Sequence, residues 1–317
     1  MKRFLKITAI ILAVLCINSI SPLVWFYIQK ETPQPTNEEA AAKLKDNAGE
    51  HFSFIVFGDN HGGFPLNDSA TLKLIRLMNR EDRFKGKTSI DFAVNLGDAT
   101  FYRGREANYR DYNKLRSLIK WPVITVMGNH DYVNGGWRHF QKYIGKHEFS
   151  FTDRNSYFII LDNKITDVTE KQFVWLDAEL QKAASYKHRF LFMHKSPISL
   201  YYQSWFRPEN NKWAHRLMKL CEKHNVDIVF AGHEHMFAER LFGKVRYVIS
   251  GAAGMPVLFP ESDGGYLHYV VVRVYGDYVD YEVRKVFPPF WEYIGYYLWK
   301  EIFYGLKFVF FKDGLLF

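Results

Sequence analysis

The chain has 317 residues, a formal charge of +8, 48% hydrophobic and 18% aromatic residues, and two cysteines, Cys16 and Cys221. That length suits one catalytic core with attachments, because single cores stop growing near about 250–300 residues. Two cysteines exclude a disulfide framework, and the positive charge forms no basic stripe interleaved with aromatics and no DNA-binding signature, so nucleic acid is not an expected partner.

Residues 1–30 read as an N-terminal transmembrane anchor. Lys2, Arg3 and Lys6 precede a run from Ile7 to Ile28 that holds no charge, and about 20 apolar residues span a bilayer. A cleaved signal peptide, with an apolar core ending near Cys16 and Ser19 before the cut, is the competing reading. Trp25 and Tyr27 suit an interface and favour the anchor. Either way the positive flank stays inside and the rest is delivered outside the cytoplasm, membrane-anchored or secreted. Residues 31–50, with Pro33, Pro35, Asn37 and acidic residues, read as a polar linker.

Residues 51–287 read as the catalytic domain. Five apolar, strand-like runs each end in chemistry: FSFIVFGDNH at Asp59 and His61, DFAVNLGD at Asp98, PVITVMGNHD at Asn129, His130 and Asp131, RFLFMH at His194, and VDIVFAGHEH at His233 and His235. Helical patterns intervene. Thr169 and Gln172 form a capping box ahead of Phe173, Leu176, Leu180 and Ala184, and Trp213, Leu217, Leu220 and Cys221 mark another apolar face. Strand and helix in alternation predict an α/β domain with its site at the carboxyl ends of the strands.

Nine basic residues against two acidic lie between Lys182 and Lys223, a stretch that includes His194. It reads equally as solvated helix faces or as a field that focuses anions on the site. Residues 288–317, rich in Phe, Tyr and Trp but with no net charge, read as an amphipathic interfacial segment or as a helix covering the domain or an oligomer partner. The oligomeric state is left open.

Carboxylate, imidazole and amide ligands suit borderline divalent ions. Two such ions roughly 3.5–4 Å apart supply a nucleophile at neutral pH, neutralise phosphoryl charge and stabilise a leaving oxygen. Glycines before Asp59, Asp98, Asn129 and His233 are expected to free the backbone for tight turns. His233 and His235 are two apart and follow a strand, which excludes the zinc-protease signature of histidines four apart on a helix.

The ordered pattern GDNH, GD, GNHD, a separate His and GHEH resembles the calcineurin-like metallophosphoesterases across roughly residues 52–286. The resemblance implies a four-layer α/β/β/α sandwich with two mixed sheets. It implies one metal on Asp59, His61, Asp98 and His235, another on Asp98, Asn129, His194 and His233, and Asp98 as the bridge. A hydroxide between the ions would attack phosphorus in line, while His130, oriented by Asp131, stabilises the transition state or protonates the leaving oxygen.

EKQFVWLDAELQKA and VRYVISGAAGMP look most like the branch holding purple acid phosphatases and related bacterial phosphoesterases. That branch places an iron-binding Tyr three residues after the bridging Asp. Here Phe101 stands there, with Tyr102 one step on, so two divalent ions (manganese, iron or zinc) are expected instead of a purple iron centre. Arg103, Arg105, Tyr102, Lys195 and Arg207 lie near motif residues in sequence and read either as contacts to substrate phosphate or, in preference, as surface charge and loop packing, so no substrate-binding residue is assigned. A phosphomonoester, a phosphodiester and a membrane-borne lipid phosphate all remain open as substrate. A membrane-attached scaffold that keeps the fold and binds a partner is the alternative to an enzyme.

Overall fold

The apolar runs become strands, and the strands divide between two sheets. In this computed structural model the described residues are 22–45, 47–81, 89–101, 104–164, 168–198, 212–257 and 259–287. In chain order they form α1 (22–28), α2 (Asn37–Ala42), β1 (His51–Phe57), α3 (Pro65–Met78), β2 (Ile90–Asn95), α4 (Glu106–Ser117) and β3 (Val123–Thr125). Then follow α5 (Asn129–Tyr132), α6 (Gly136–Tyr143), β4 (Phe149–Asp153), β5 (Ser156–Ile160), α7 (Glu170–Lys182), β6 (His188–Met193) and α8 (Lys212–Lys223). The described part ends with β7 (Ile228–Ala231), β8 (Phe237–Phe242), β9 (Val245–Ser250), β10 (His268–Tyr275) and β11 (Tyr278–Lys285).

One sheet has the order β11-β10-β1-β2-β3, the other β4-β5-β6-β7-β9-β8. Both are mixed. In each, the site-bearing strands pair in parallel, β1 with β2 and β2 with β3, β5 with β6 and β6 with β7, while antiparallel pairs lie at the β11 edge of the first sheet and at both edges of the second. Parallel pairing sends the carboxyl ends of β1, β2 and β3 in one direction, and those of β6 and β7 likewise, so loops far apart in sequence meet.

The two sheets face each other across an aromatic core. Phe54 stacks on Phe92 at 5.1 Å and meets Phe158 and Phe190 edge-on, while Phe192 stacks on Phe230 at 5.4 Å. Offset and edge-on pairs of this kind add to the apolar burial that holds the layers together. Many of the chain's aromatic residues therefore fill the inter-sheet core. Outside one sheet, α7 and α8 bury Phe173, Leu176, Leu180, Leu217 and Cys221; outside the other, α3 supplies Leu74 and Ile75, and α4 supplies Leu115. This gives the α/β/β/α order. The Thr169–Gln172 capping box forms as expected, but Ala184 falls beyond α7 and is exposed.

The N-terminal side departs from the expected boundaries. Phe26, at the end of the charge-free run, is 1% exposed and packs among Ile55, Phe57 and Leu74. Hydropathy alone cannot separate a bilayer from a protein core, and the charge-free run continues to Ile28 across that change of surroundings. Nor is 31–50 a loose linker: Thr36 and Glu39 form a capping box for α2, and the buried Asn37 side chain bonds both backbone groups of Thr125 and the carbonyl of Lys146. No helix among the described residues is long and apolar enough to cross a membrane. Most of the charge-free run, the 288–317 segment, Tyr102, Arg103 and Arg207 lie outside the described residues.

Candidate metal centre

Every proposed ligand follows its strand directly: Asp59 and His61 follow β1, Asp98 follows β2, Asn129 follows β3, His194 follows β6, and His233 and His235 follow β7. Their ligand atoms converge. Asp59, His61 and His235 lie within 4.8 Å of one another, as do Asp98, His194 and His233, and so do His61, Asp98 and His130. Asp98 stands between the groups, with Oδ2 3.6 Å from His61 Nε2 and Oδ1 3.4 Å from His194 Nε2. His235 Nε2 lies 3.7 Å from Asp59 Oδ1, and the His194 and His233 rings meet edge-on at 5.1 Å.

The backbone is bent to do this. Asp59, His61, Asp98 and His233 adopt φ of 57°, 46°, 47° and 68°, a left-handed conformation that costs an L residue roughly 1–2 kcal/mol. The neighbouring glycines serve mainly as clearance: of the four preceding a ligand, only Gly97 has positive φ. A Cβ on Gly128 would lie 2.2 Å from Asp98 N and Oδ1, and one on Gly232 would lie 2.4 Å from Asp59 Oδ2.

Three features fit a cation. Both ring nitrogens of His61 are buried with no hydrogen-bond partner, a costly state for a polar group unless something else binds them. His194 Nδ1 lies 2.9 Å from the Leu96 carbonyl, which fixes its hydrogen there, so Nε2 points a lone pair at Asn129 Oδ1, 3.0 Å away. Two acceptors at that distance need a proton or a metal between them. Finally, the donors are imidazole, carboxylate and amide groups, which match manganese, iron or zinc.

The electrostatics agree. Burial holds His233 down at about 3, with the His194 charge adding to it, and burial likewise holds His235 at about 4. His61 is also pushed well below its ordinary value by burial. All three are thus neutral, as a ligand must be. Burial opposes charge on His194 too, but the adjacent Asp98 carboxylate outweighs it and lifts the ring to about 9. Burial raises Asp59 well above the carboxylate range, whereas Asp98, against its own burial, is held well below it by His194 and His61.

His130 lies at the open side. Its ring is 37% exposed, 4.6 Å from the His61 ring, with Nε2 4.0 Å from Asp98 Oδ2. Its amide donates to Asp98 Oδ1 at 2.8 Å. Asp131 makes no hydrogen bond to the His130 ring among the described residues. Its buried carboxylate accepts from the amides of Gly128, Ala99 and Thr100 and from the Thr100 hydroxyl. It thus ties the loop that carries His130 to the loop of Asp98 and does not hold the His130 ring.

Asn163, just beyond β5, is a part of the site that carried no sequence signature. Its Oδ1 accepts the amides of His194 and Lys195, both at 3.0 Å, and its Nδ2 donates to the Lys195 carbonyl at 2.7 Å. The only hint was that SYFII is an apolar run ending, like the others, in polar residues. Asn60, which accepts from Asn95 and donates to Ala99, braces the first two loops in the same way.

The calcineurin-like phosphoesterase family matches residues 52–237. A probable glycerophosphodiester phosphodiesterase, GpdQ, of Arcobacter nitrofigilis is 25% identical over 170 residues, 50% of this chain and 62% of the relative. Among solved structures, purple acid phosphatase PPD1 from yellow lupin seeds superposes with a TM-score of 0.60 at 16% identity, over 75% of this chain and 52% of that one. GAP50, the anchor in the inner membrane complex of Plasmodium, does so at 0.58 and 14% identity, over 75% and 85%. The matched family segment contains every proposed ligand from Asp59 to His235, and the chain belongs to the calcineurin-like phosphoesterases.

Proposed function

We propose that this protein is a metal-dependent phosphoric ester hydrolase whose centre takes two divalent ions, one on Asp59, His61, Asp98 and His235 and the other on Asp98, Asn129, His194 and His233. The observation that carries this is Asp98, whose two oxygens face histidines of two different groups. Bound there, the ions would supply Lewis-acid neutralisation of phosphoryl charge and acidify water at neutral pH.

The protein's own residues do the rest. Asp98 draws the two halves of the site together, and the neutral rings of His61, His233 and His235 offer lone pairs without competing protons. His130, exposed beside His61, stands where it can hand a proton to a leaving oxygen. A phosphodiester is the first substrate to try, since the relative that matches half of the chain is named as a probable diester hydrolase.

Metal analysis with turnover of bis(p-nitrophenyl) phosphate and p-nitrophenyl phosphate, in manganese, zinc or iron(II), tests the reading. Hydrolysis that a chelator abolishes and metal restores is expected. Fully loaded protein that cleaves neither ester would overturn it and leave the scaffold alternative.

We also propose that the charge-free run beginning at Ile7 anchors the chain, with the catalytic domain outside the cytoplasm. Lys2, Arg3 and Lys6 before the run support this orientation. Protease digestion of intact and lysed cells tests it: digestion of the domain only after lysis would reverse the sidedness.

A further inference from the structure

The helix at which the charge-free run ends is fastened to the loop that carries a metal ligand. On its inner side, Phe26 enters the domain core. Beside it the Tyr27 hydroxyl donates to Oδ2 of Asp68, a buried carboxylate in α3. Asp68 in turn accepts the amide of Gly63 at 3.0 Å, two residues beyond His61. The preceding residue in α3, Asn67, donates to the His61 carbonyl itself at 3.2 Å. Further on, Asn113 donates to Glu31 at 3.0 Å, so the segment is held at both ends. From residue 22 to Tyr27 is about 8 Å of helix. The end of the charge-free run is therefore separated from the loop of His61 by two hydrogen bonds.

The outward surface here is apolar. Val24, Trp25 and Ile28 are exposed on α1, Ile28 to 71%, and Leu66 in the first turn of α3 is 39% exposed. Between Leu66 and the ligands, Phe64 stacks on Phe101 at 4.8 Å, and the Phe101 ring stands edge-on to His61 at 6.5 Å. An aromatic pair thus stands between an apolar surface and a metal ligand. Exposed apolar side chains grouped with Trp and Tyr at the end of an uncharged run suit the membrane–water interface. A wall of this kind beside the reacting position favours an apolar substituent over a polar one.

We propose that the metal centre opens at the membrane surface and acts on phosphodiesters that carry an alkyl chain, the chain lying along Phe101, Phe64 and Leu66 toward α1. This rests on the hydrolase and anchor readings above and names the substrate class for the same site. The occupant is a membrane lipid with a phosphodiester headgroup; a soluble phosphodiester is the outcome that opposes it.

The test compares methyl p-nitrophenyl phosphate with dodecyl p-nitrophenyl phosphate on the full chain in detergent micelles, with metals loaded and p-nitrophenyl phosphate as a third substrate. The dodecyl ester is expected to have a kcat/KM about tenfold or more above the methyl ester, the effect of burying about two methylenes. Leu66→Asp, and Val24→Asp with Ile28→Asp, should bring that ratio toward one while turnover of the methyl ester stays as in wild type. Equal kcat/KM for the two diesters, or cleavage of the monoester alone, overturns the lipid proposal and leaves the hydrolase intact. A chain preference that survives both variants overturns the assigned surface. Metal-loaded protein that cleaves none of the three esters removes the hydrolase reading itself.

Discussion

Asp131 grips Thr100 twice: the same carboxylate oxygen accepts its amide at 3.0 Å and its hydroxyl at 2.9 Å. The second oxygen takes the amides of Ala99 and Gly128, at 3.2 and 3.0 Å. One buried side chain thereby locks the loop of Asp98 to the loop of Asn129 and His130, and the two halves of the centre keep a fixed spacing.

Asp131→Ala would strand those donors without an acceptor. Breaking a buried charged network of this kind costs roughly 3–5 kcal/mol. Denaturant unfolding of the metal-free protein should show that loss; a change under about 1 kcal/mol would mean that water replaces the carboxylate without difficulty.

His130→Ala touches no proposed ligand. Its metal content should equal that of wild type while kcat drops by roughly 10²–10⁴, the usual scale for a general acid. Elemental analysis beside turnover separates the two effects, and full activity in the variant would take His130 out of the reaction.

Gly128→Ala inserts a methyl 2.2 Å from the amide and carboxylate of Asp98. Since backbone must yield, a stability loss of about 1–3 kcal/mol is expected, together with weaker metal binding at the shared carboxylate. Isothermal titration with manganese reads the second effect, and unaltered affinity would show that the Asp98 loop can retreat.

Metal should stabilise the fold as well as activate it. Raising free manganese to about 100 times its Kd should add about 2.7 kcal/mol to unfolding of chelated wild type. Asp98→Asn should respond far less, and an equal response would place the ions somewhere other than this pocket.

A pH effect is expected away from the centre. His268, at the start of β10, bonds Ser250 at the end of β9 and so joins the two sheets. Burial lowers its pKa to about 4 against an ordinary 6.5. The unfolded chain therefore binds the proton first, and stability falls as pH drops from about 6.5 toward 4. Between pH 7 and 4.5 this amounts to about 2 kcal/mol. His268→Phe should lose that share of the wild-type pH dependence in urea titrations; an identical slope would contradict it.

The residues that the fold brings together at the candidate centre stood out in the sequence because the signal is local: a glycine with an acid, amide or imidazole, directly behind an apolar run. Asp59, Asp98 and His233 each have that context. Asn163 does not, for what matters is that β5 lies beside β6, a pairing no short window contains. Asp131 was legible as a site residue but not in its task, since the three amides it binds belong to two loops. The burial of Phe26 and Asn37 is not legible for a related reason. Apolar and polar residues look the same in a string whether they meet lipid, water or a folded domain.

The left-handed ligand residues leave this protein with a resource for engineering. Asn225, after α8, has the same handedness (φ 50°) yet binds nothing in the centre, and glycine is the preferred residue at such a helix end. Relief at that position can harden the fold without touching chemistry. At Asp59, His61, Asp98 and His233 the same exchange would ease the chain and erase the ligand together, so tolerance to heat and grip on metal can be raised independently only outside those four positions.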